Sequence, residues 1–297
     1  MPLDQYKAFH AVVTAGGITR AAEQLFVTQP ALTRSIQTLE REMGCPLLCR
    51  TPKGVVPTQE GEILYRHLDQ ALSVIATAES RIRDIGQLEG GEIRIGAGDT
   101  LCRHLLVPVL QTFHALHPAV RIHVTCVETP GAAALLRAGK LDLALMNLPF
   151  DEDALSIRLL REVQDIFVAG PRFRSFSHVP QSVGEIVKQP MLLLERKSRS
   201  RQLLDEYLAK HGFEVEPAFE LGSTDLLVRF AQFDFGVACV PRSQVEEMLA
   251  DGSLVEIRPV EAMPKRHIGA AWLRDMPMTP ASKVLVGLLE DTATAEF

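Results

Sequence analysis

Two sets of side chains in this sequence have the types and spacing that recognition chemistry needs. Gln29, Thr33, Arg34, Gln37 and Arg41 recur at helical intervals and so share one face of a helix. Arg and Gln match guanine and adenine edges in the DNA major groove, and Thr reaches phosphate or a thymine methyl. An ordinary solvated surface helix would show the same face, so the surrounding elements must decide. The second set lies where predicted strands give way to helices: Gly98-Asp99-Thr100, Thr129-Pro130, Asn147, Ser198-Arg199-Ser200 and Ser223-Thr224. Ligands of open α/β sheets bind beyond the carboxyl ends of the strands, where helix N-termini attract anions. Ser, Thr and Asn also cap helices with no ligand nearby. Convergence from both halves of the region is what favours a pocket. The run 195–201, ERKSRSR, carries four cations and points to an anionic, carboxylate-like ligand; a solvated charge run has the same composition. Asp99 argues against a purely cationic pocket.

The first set needs a helix and a partner to hold it. Residues 19–43 read as a short helix, a break at Phe26-Val27-Thr28, and a longer helix. Ala21 and Ala22 allow close helix approach. Thr28 can cap the second helix, and Pro30 in its first turn loses only an N–H with no intrahelical partner. Leu32, Ile36, Leu39 and Met43 form the buried stripe. Two helices across a tight turn, the second with a Gln/Thr/Arg face, make a helix-turn-helix, with Thr28, Gln29, Pro30, Thr33, Arg34 and Gln37 as its DNA-facing candidates. A helix at 3–15, stopped by Gly16-Gly17, would cover the apolar side. After Gly44, PLLCRTPKGVVPT reads as a hairpin with Arg50 and Lys53 near its tip: a wing that reaches DNA backbone, or a structural hairpin with incidental charge. Residues 58–88 continue as one helix. Leu64, Leu68, Ala71, Ile75, Ala78, Ile82 and Ile85 step alternately by four and three, a heptad seam suited to pairing with a second copy; a long helix lying on its own domain is the other reading.

Beyond Gly86 to Gly91 the pattern changes to strands alternating with helices, which predicts an α/β region with a largely parallel sheet. Strands are expected near 92–97, 120–127, 141–146, 165–170, 191–195, 219–222, 236–241 and 266–272, and a last helix from about 280 to 289. Two similar α/β sets predict two lobes facing across a cleft. The 297 residues suffice for two or three domains. No N-terminal signal and no membrane-length apolar run is present. Five scattered cysteines, an odd number without a C-x-x-C, fit a reducing cytoplasm. The net charge of −6 is uneven: residues 1–57 carry +2, 58–88 carry −2 and 89–297 carry −6. Any nucleic-acid contact is therefore confined to the N-terminal piece. No dinucleotide fingerprint, P-loop, nucleophile elbow, H-E-x-x-H or Cys/His cluster appears, which counts against an enzyme and against a cofactor. A periplasmic solute-binding protein fails on the missing signal and on the 1–57 unit. Cys102, near a helix start, raises the option of a thiol sensor, against the commoner inert buried cysteine.

In AAEQLFVTQPALTRSIQTLE (21–40), the wing through Thr58, the long helix, GGEIRIGA (90–97), GKLDLAL (139–145) and FGVACVP (235–241), the chain resembles LysR-type transcriptional regulators over its whole length. Gly17-Ile18, Leu48 and Pro57 depart from the residues frequent there. The resemblance implies an α/β fold overall: an N-terminal all-α winged helix-turn-helix (1–57), a long dimerising linker helix (58–89), and a two-lobed, periplasmic-binding-protein-like effector domain (90–297). Lobe 1 would comprise about 90–162 and 266–297, and lobe 2 about 163–265. It also implies double-stranded operator DNA, a small-molecule effector, a second copy of the chain, a tetramer and RNA polymerase as partners, in the cytoplasm and away from membranes. The family pocket is built from the matching loops, which carries over Thr100, Thr129, Asn147 and Ser198. Asp99, Leu101, Arg199, Ser200 and Thr224 complete the effector candidates.

Overall fold

The structure is a computed structural model that describes residues 2–51, 54–84 and 91–295. It divides into two compact units, Met1–Ile85 grouped with Ala138–Lys140, and Gly86–Arg137 with Leu141–Phe297.

The first unit runs α1 (Leu3–Ala15), α2 (Ile18–Gln24), α3 (Gln29–Met43), β1 (Leu48–Thr51), β2 (Gly54–Pro57) and α4 (Gln59–Asp84). Phe9, Val12, Ala21, Leu32, Ile36 and Leu39 make its core, and the bare methyl of Ala21 is completely buried. Gly16 and Gly44 end α1 and α3 at φ 66° and 73°, a left-handed cap that costs glycine nothing. The Thr28 hydroxyl accepts the Ala31 N–H at 3.4 Å and starts α3. Glu40 ties α3 to the hairpin: its carboxylate accepts the N–H groups of Leu47 and Leu48 at 2.8 and 3.2 Å. On the hairpin's other strand, Val55 N–H donates to the Gly16 carbonyl at 3.2 Å. Gly54 makes that approach possible, since a Cβ there would stand 2.5 Å from Gly16 O. The Thr58 hydroxyl then caps α4 through the Gly61 N–H.

The heptad seam on α4 is divided in use. Leu64, Tyr65 and Leu68 pack into the core just described, whereas Ala71, Ile75 and Ala78 are exposed. A seam read as seven equivalent positions is therefore partly spent inside its own domain. Ile85 and the side chain of Ile82 lie outside the described residues.

The second unit runs β3 (Glu92–Ala97), α5 (Asp99–Leu101), a π-helical turn over Cys102–Leu106, α6 (Val107–Leu116), β4 (Arg121–Cys126), α7 (Thr129–Arg137), β5 (Leu143–Leu148), β6 (Leu155–Val163), β7 (Asp165–Ala169), α8 (Val183–Ile186), β8 (Met191–Leu194), α9 (Arg199–Lys210), β9 (Phe219–Leu221), α10 (Thr224–Gln232), β10 (Val237–Pro241), α11 (Glu246–Ala250), β11 (Val255–Ile257), β12 (Arg266–Leu273) and α12 (Pro280–Ala295). The strands form two five-stranded sheets, ordered β4-β3-β5-β12-β6 and β11-β7-β10-β8-β9. Each defines one lobe.

The sheets are mixed, not largely parallel. Only β3 with β4, β3 with β5, β8 with β9 and β8 with β10 pair in parallel. β12 runs antiparallel to both β5 and β6, and β7 to both β10 and β11. Sequence alternation gives βα units but says nothing about strands that enter from the other lobe. The chain makes two such crossings, between β6 and β7 and between β11 and β12. Two strands, β6 and β11, have no counterpart among the strands expected from the sequence. In β6, LSIRLLREV interleaves charge at the edge of the sheet, which blurs the period. The π turn between α5 and α6 has a local cause: Pro108 has no N–H for the carbonyl of His104, so the regular ladder cannot continue there.

Candidate functional site

In the first unit, α3 presents Gln29, Arg34, Gln37 and Arg41 to solvent on the side opposite buried Leu32, Ile36 and Leu39. Thr33 is half-buried, and its hydroxyl donates to the Gln29 carbonyl at 2.9 Å. No described residue engages the Arg34 or Gln37 side chain. Thr28 and Pro30 stand exposed at the start of the same helix. Lys53 and the side chain of Arg50 lie outside the described residues; the strand that carries Arg50 pairs with β2 from Leu48↔Pro57 to Thr51↔Gly54. Phe26, in the turn before α3, is 96% exposed at φ 54°. The sequence reading used it only as a break.

In the second unit, a cavity of about 540 Å³ lies between the two lobes. Gly98, Asp99, Thr100, Leu101, Asn147, Ser198, Ser200 and Thr224 line it, together with residues the sequence did not single out: His104, Glu128, Arg161, Asp165, Gln244 and Arg266. Two helix starts open on it. Gly98 precedes α5 and Ser198 precedes α9, and neither end has a side-chain cap. First-turn N–H groups there keep their capacity for an acceptor. By contrast, the start of α10 is capped by the Ser223 hydroxyl, which accepts the Leu226 N–H at 3.4 Å.

The lobes meet around this cavity through polar contacts. Thr100 Oγ1 donates to Thr224 Oγ1 at 3.0 Å, joining the start of α5 in one lobe to the start of α10 in the other. Beside them Arg103 reaches Asp225 at 3.3 Å while holding Asp99 at 3.1 Å, and His104 stands 3.6 Å from Asp225. At the strand crossings, Arg266 of β12 makes a bidentate pair with Asp165 of β7, at 2.5 and 3.0 Å, and also donates to Asn147 Oδ1. Ser198 stands near the Glu128 carboxyl from across the cleft and favours its charged form. Burial pushes Glu128 up from the ordinary carboxyl range, reinforced by Glu195 and Asp99 and opposed by Lys197 and Ser198.

Two expected residues do not line the cavity. Thr129 is buried behind it, its hydroxyl accepting the Asn147 N–H at 3.1 Å, so it braces Asn147. Arg199 turns away: its Nε donates to the Pro149 carbonyl at 2.9 Å and its other end pairs with Glu206 at 2.7 Å. Three of the four cations of 195–201 are likewise engaged, and the fourth, Arg196, is exposed and does not line the cavity. Arg201 is buried against Asp205 and the Leu194 carbonyl, and Lys197 pairs with Glu195 at 2.6 Å. A sequence run shows charge but not partners. Cys102 is pushed above the usual thiol range, chiefly by burial, which makes it a poor thiolate and agrees with the inert reading. Among the described residues no group of His, Cys, Asp and Glu could hold a metal ion, and no helix is long and apolar enough to cross a membrane.

Comparison with known proteins covers both units. Residues 3–62 match the family "Bacterial regulatory helix-turn-helix protein, lysR family", and residues 86–294 match "LysR substrate binding domain". The HTH-type transcriptional regulator CrgA of Neisseria meningitidis serogroup C (strain 8013) is 25% identical over 287 residues, spanning 96% of this chain and 95% of its own. Full-length OxyR of Pseudomonas aeruginosa, solved as a cysteine variant, shares the fold at a TM-score of 0.68 and 20% identity, over 99% of this chain and 95% of that one. Full-length CbnR in complex with its target DNA does so at 0.66 and 19%, over 98% and 100%.

Proposed function

Because the chain belongs to the LysR family of transcriptional regulators, we propose that α3 reads operator DNA and that the cavity between the lobes takes a small anionic effector controlling that reading. DNA binding and an effector-binding domain come with the family; which residues act, and on what ligand, is the proposal. Gln29, Arg34 and Gln37 read base edges, while Thr28, Thr33, Arg50 and Lys53 touch the backbone, with Pro30 fixing the helix start. Residues 1–57 form the reading head, 58–89 the linker that pairs two copies, and 90–297 the effector domain. Pairing through α4 gives a dimer, two dimers give a tetramer, and RNA polymerase is the partner that converts operator binding into regulation in the cytoplasm.

The observation that carries the effector assignment is the pair of uncapped helix starts, one from each lobe, opening on one cavity. Their N–H groups suit a carboxylate, flanked by the hydroxyls of Thr100, Ser198, Ser200 and Thr224 and by Asn147. A ligand bridging both lobes would favour one lobe arrangement, and a tenfold shift in DNA affinity needs about 1.4 kcal/mol of such preference. The test is a thermal-shift screen of small carboxylates on the full chain, followed by calorimetry on Thr100→Val. This variant keeps the shape and removes a hydroxyl. It is expected to weaken effector binding by about 1 kcal/mol and to leave effector-free DNA affinity intact. Unchanged effector affinity would place the pocket elsewhere.

A further inference from the structure

The cavity contains a feature that an anion alone does not satisfy. Glu128 is half-buried on its lining, and among the described residues no cation stands within ion-pair distance of it; Lys197, which Glu195 holds, favours its charged form only from farther off. The other lining acids are matched: Asp165 by Arg266, Glu195 by Lys197 and Asp99 by Arg103. Bringing a carboxylate into this space would set a second negative charge near one that no cation contacts directly, away from bulk water. A second acceptor belongs to a lining residue on the other lobe, just behind the cavity wall. The buried Oε1 of Gln244 has no hydrogen-bond partner among the described residues, and an amide carbonyl left so accepts a donor.

From these two acceptors beside two anion-binding helix starts, we infer that the effector is a zwitterion, an amino-acid-like molecule whose carboxylate meets the helix starts and whose ammonium is read by Glu128. The inference rests on the assignment of this cavity as the effector site and names the chemical class that site takes. An ammonium matches the Glu128 carboxyl in charge, and its three N–H donors leave one for the Gln244 amide carbonyl once that side chain turns into the cavity. The cavity's volume fits a metabolite of this size. The raised Glu128 adds a direction: as pH falls into its range, protonation removes the charge that holds the ammonium. Affinity for a zwitterion therefore falls with acidity, beginning at a higher pH than an ordinary carboxyl would impose.

The experiment uses probes with a shared carbon skeleton on the full chain: glutamate, 2-hydroxyglutarate and glutarate; leucine, 2-hydroxy-4-methylpentanoate and 4-methylpentanoate; phenylalanine, phenyllactate and 3-phenylpropionate. Affinities are measured by calorimetry at pH 7 for wild type, Glu128→Gln and Thr100→Val. In at least one set the amino acid is expected to bind at least tenfold tighter than the other two members. Glu128→Gln is expected to abolish that advantage while leaving the unsubstituted acid bound as well or better. Equal binding of all three members, a preference for the hydroxy acid, a preference that survives Glu128→Gln, or no binding by any set would each overturn the inference. Carboxylates that bind without preference but respond to Thr100→Val would leave the cavity assignment standing. Binding that ignores both substitutions would remove the assignment as well.

Discussion

At the scale of single residues, chemistry on exposed faces was legible and chemistry that depends on long-range partners was not. The face of α3 follows from spacing alone, because one helix fixes its own geometry. Thr100, Ser198 and Thr224 were legible as helix-start residues. Glu128, Gln244, Arg266 and Asp165 were not, since their meaning depends on what other elements bring beside them: Arg266 and Asp165 are about a hundred positions apart in the chain yet form one bidentate pair. Arg199 shows the converse error, a cation in a suggestive loop that is held by a backbone carbonyl outside the cavity. Two outcomes belong here. Arg34→Ala should cost about 1–3 kcal/mol on the operator and relax one base preference, whereas Lys53→Ala should weaken all sequences alike; competition gel shifts with single-base operator variants separate the two. Glu128→Gln should raise the melting temperature of effector-free protein near neutral pH. The sign follows from the raised Glu128: the folded state resists ionising it, so wild-type stability declines as pH rises through the window between its unfolded and folded pKa. Below that window Glu128 is protonated in both states, and the advantage of the variant should vanish in melting curves recorded against pH.

At the scale of elements, periodicity located nearly every helix and strand of the DNA-reading unit, because each is built from local contacts with glycine and threonine at its ends. Gly16, Thr28 and Gly44 sit where α1 stops, α3 starts and α3 stops. In the second unit the alternation of strand and helix was right and the strand directions were not. Antiparallel β7 and β12 arrive by crossing from one sheet to the other, and a crossing leaves no local trace in composition. The wing illustrates the contacts that sequence hides. Its position is set by Glu40 under β1 and by Gly54 against Gly16 under β2. Glu40→Ala would leave two backbone N–H groups without their acceptor and should destabilise the N-terminal unit by roughly 1–3 kcal/mol, read by chemical denaturation. Its loss of operator affinity should be uniform across sequences if, as proposed, the wing carries backbone contacts rather than base contacts. A base-specific loss would instead show that Glu40 also sets the pose of α3.

At the scale of the whole molecule, the modest +2 of residues 1–57 within a chain of net −6 predicts that one reading head binds weakly, so that recognition depends on joining two. The exposed Ala71, Ile75 and Ala78 on α4 are where the joining surface is expected. Ile75→Lys should shift the protein toward smaller species in sedimentation and reduce operator affinity without altering base preference, and undiminished size would remove this surface from the account. The central claim is that paired α3 helices read DNA through the Gln29, Arg34 and Gln37 face. Its most direct test is selection of bound duplexes from a random pool by full-length wild type and by Arg34→Ala in parallel. Wild type should enrich two half-sites related by a dyad, and Arg34→Ala should lose the same base position in both halves while retaining their spacing. A wild-type pool without an enriched sequence, or an Arg34→Ala pool identical to the wild-type one, would contradict it.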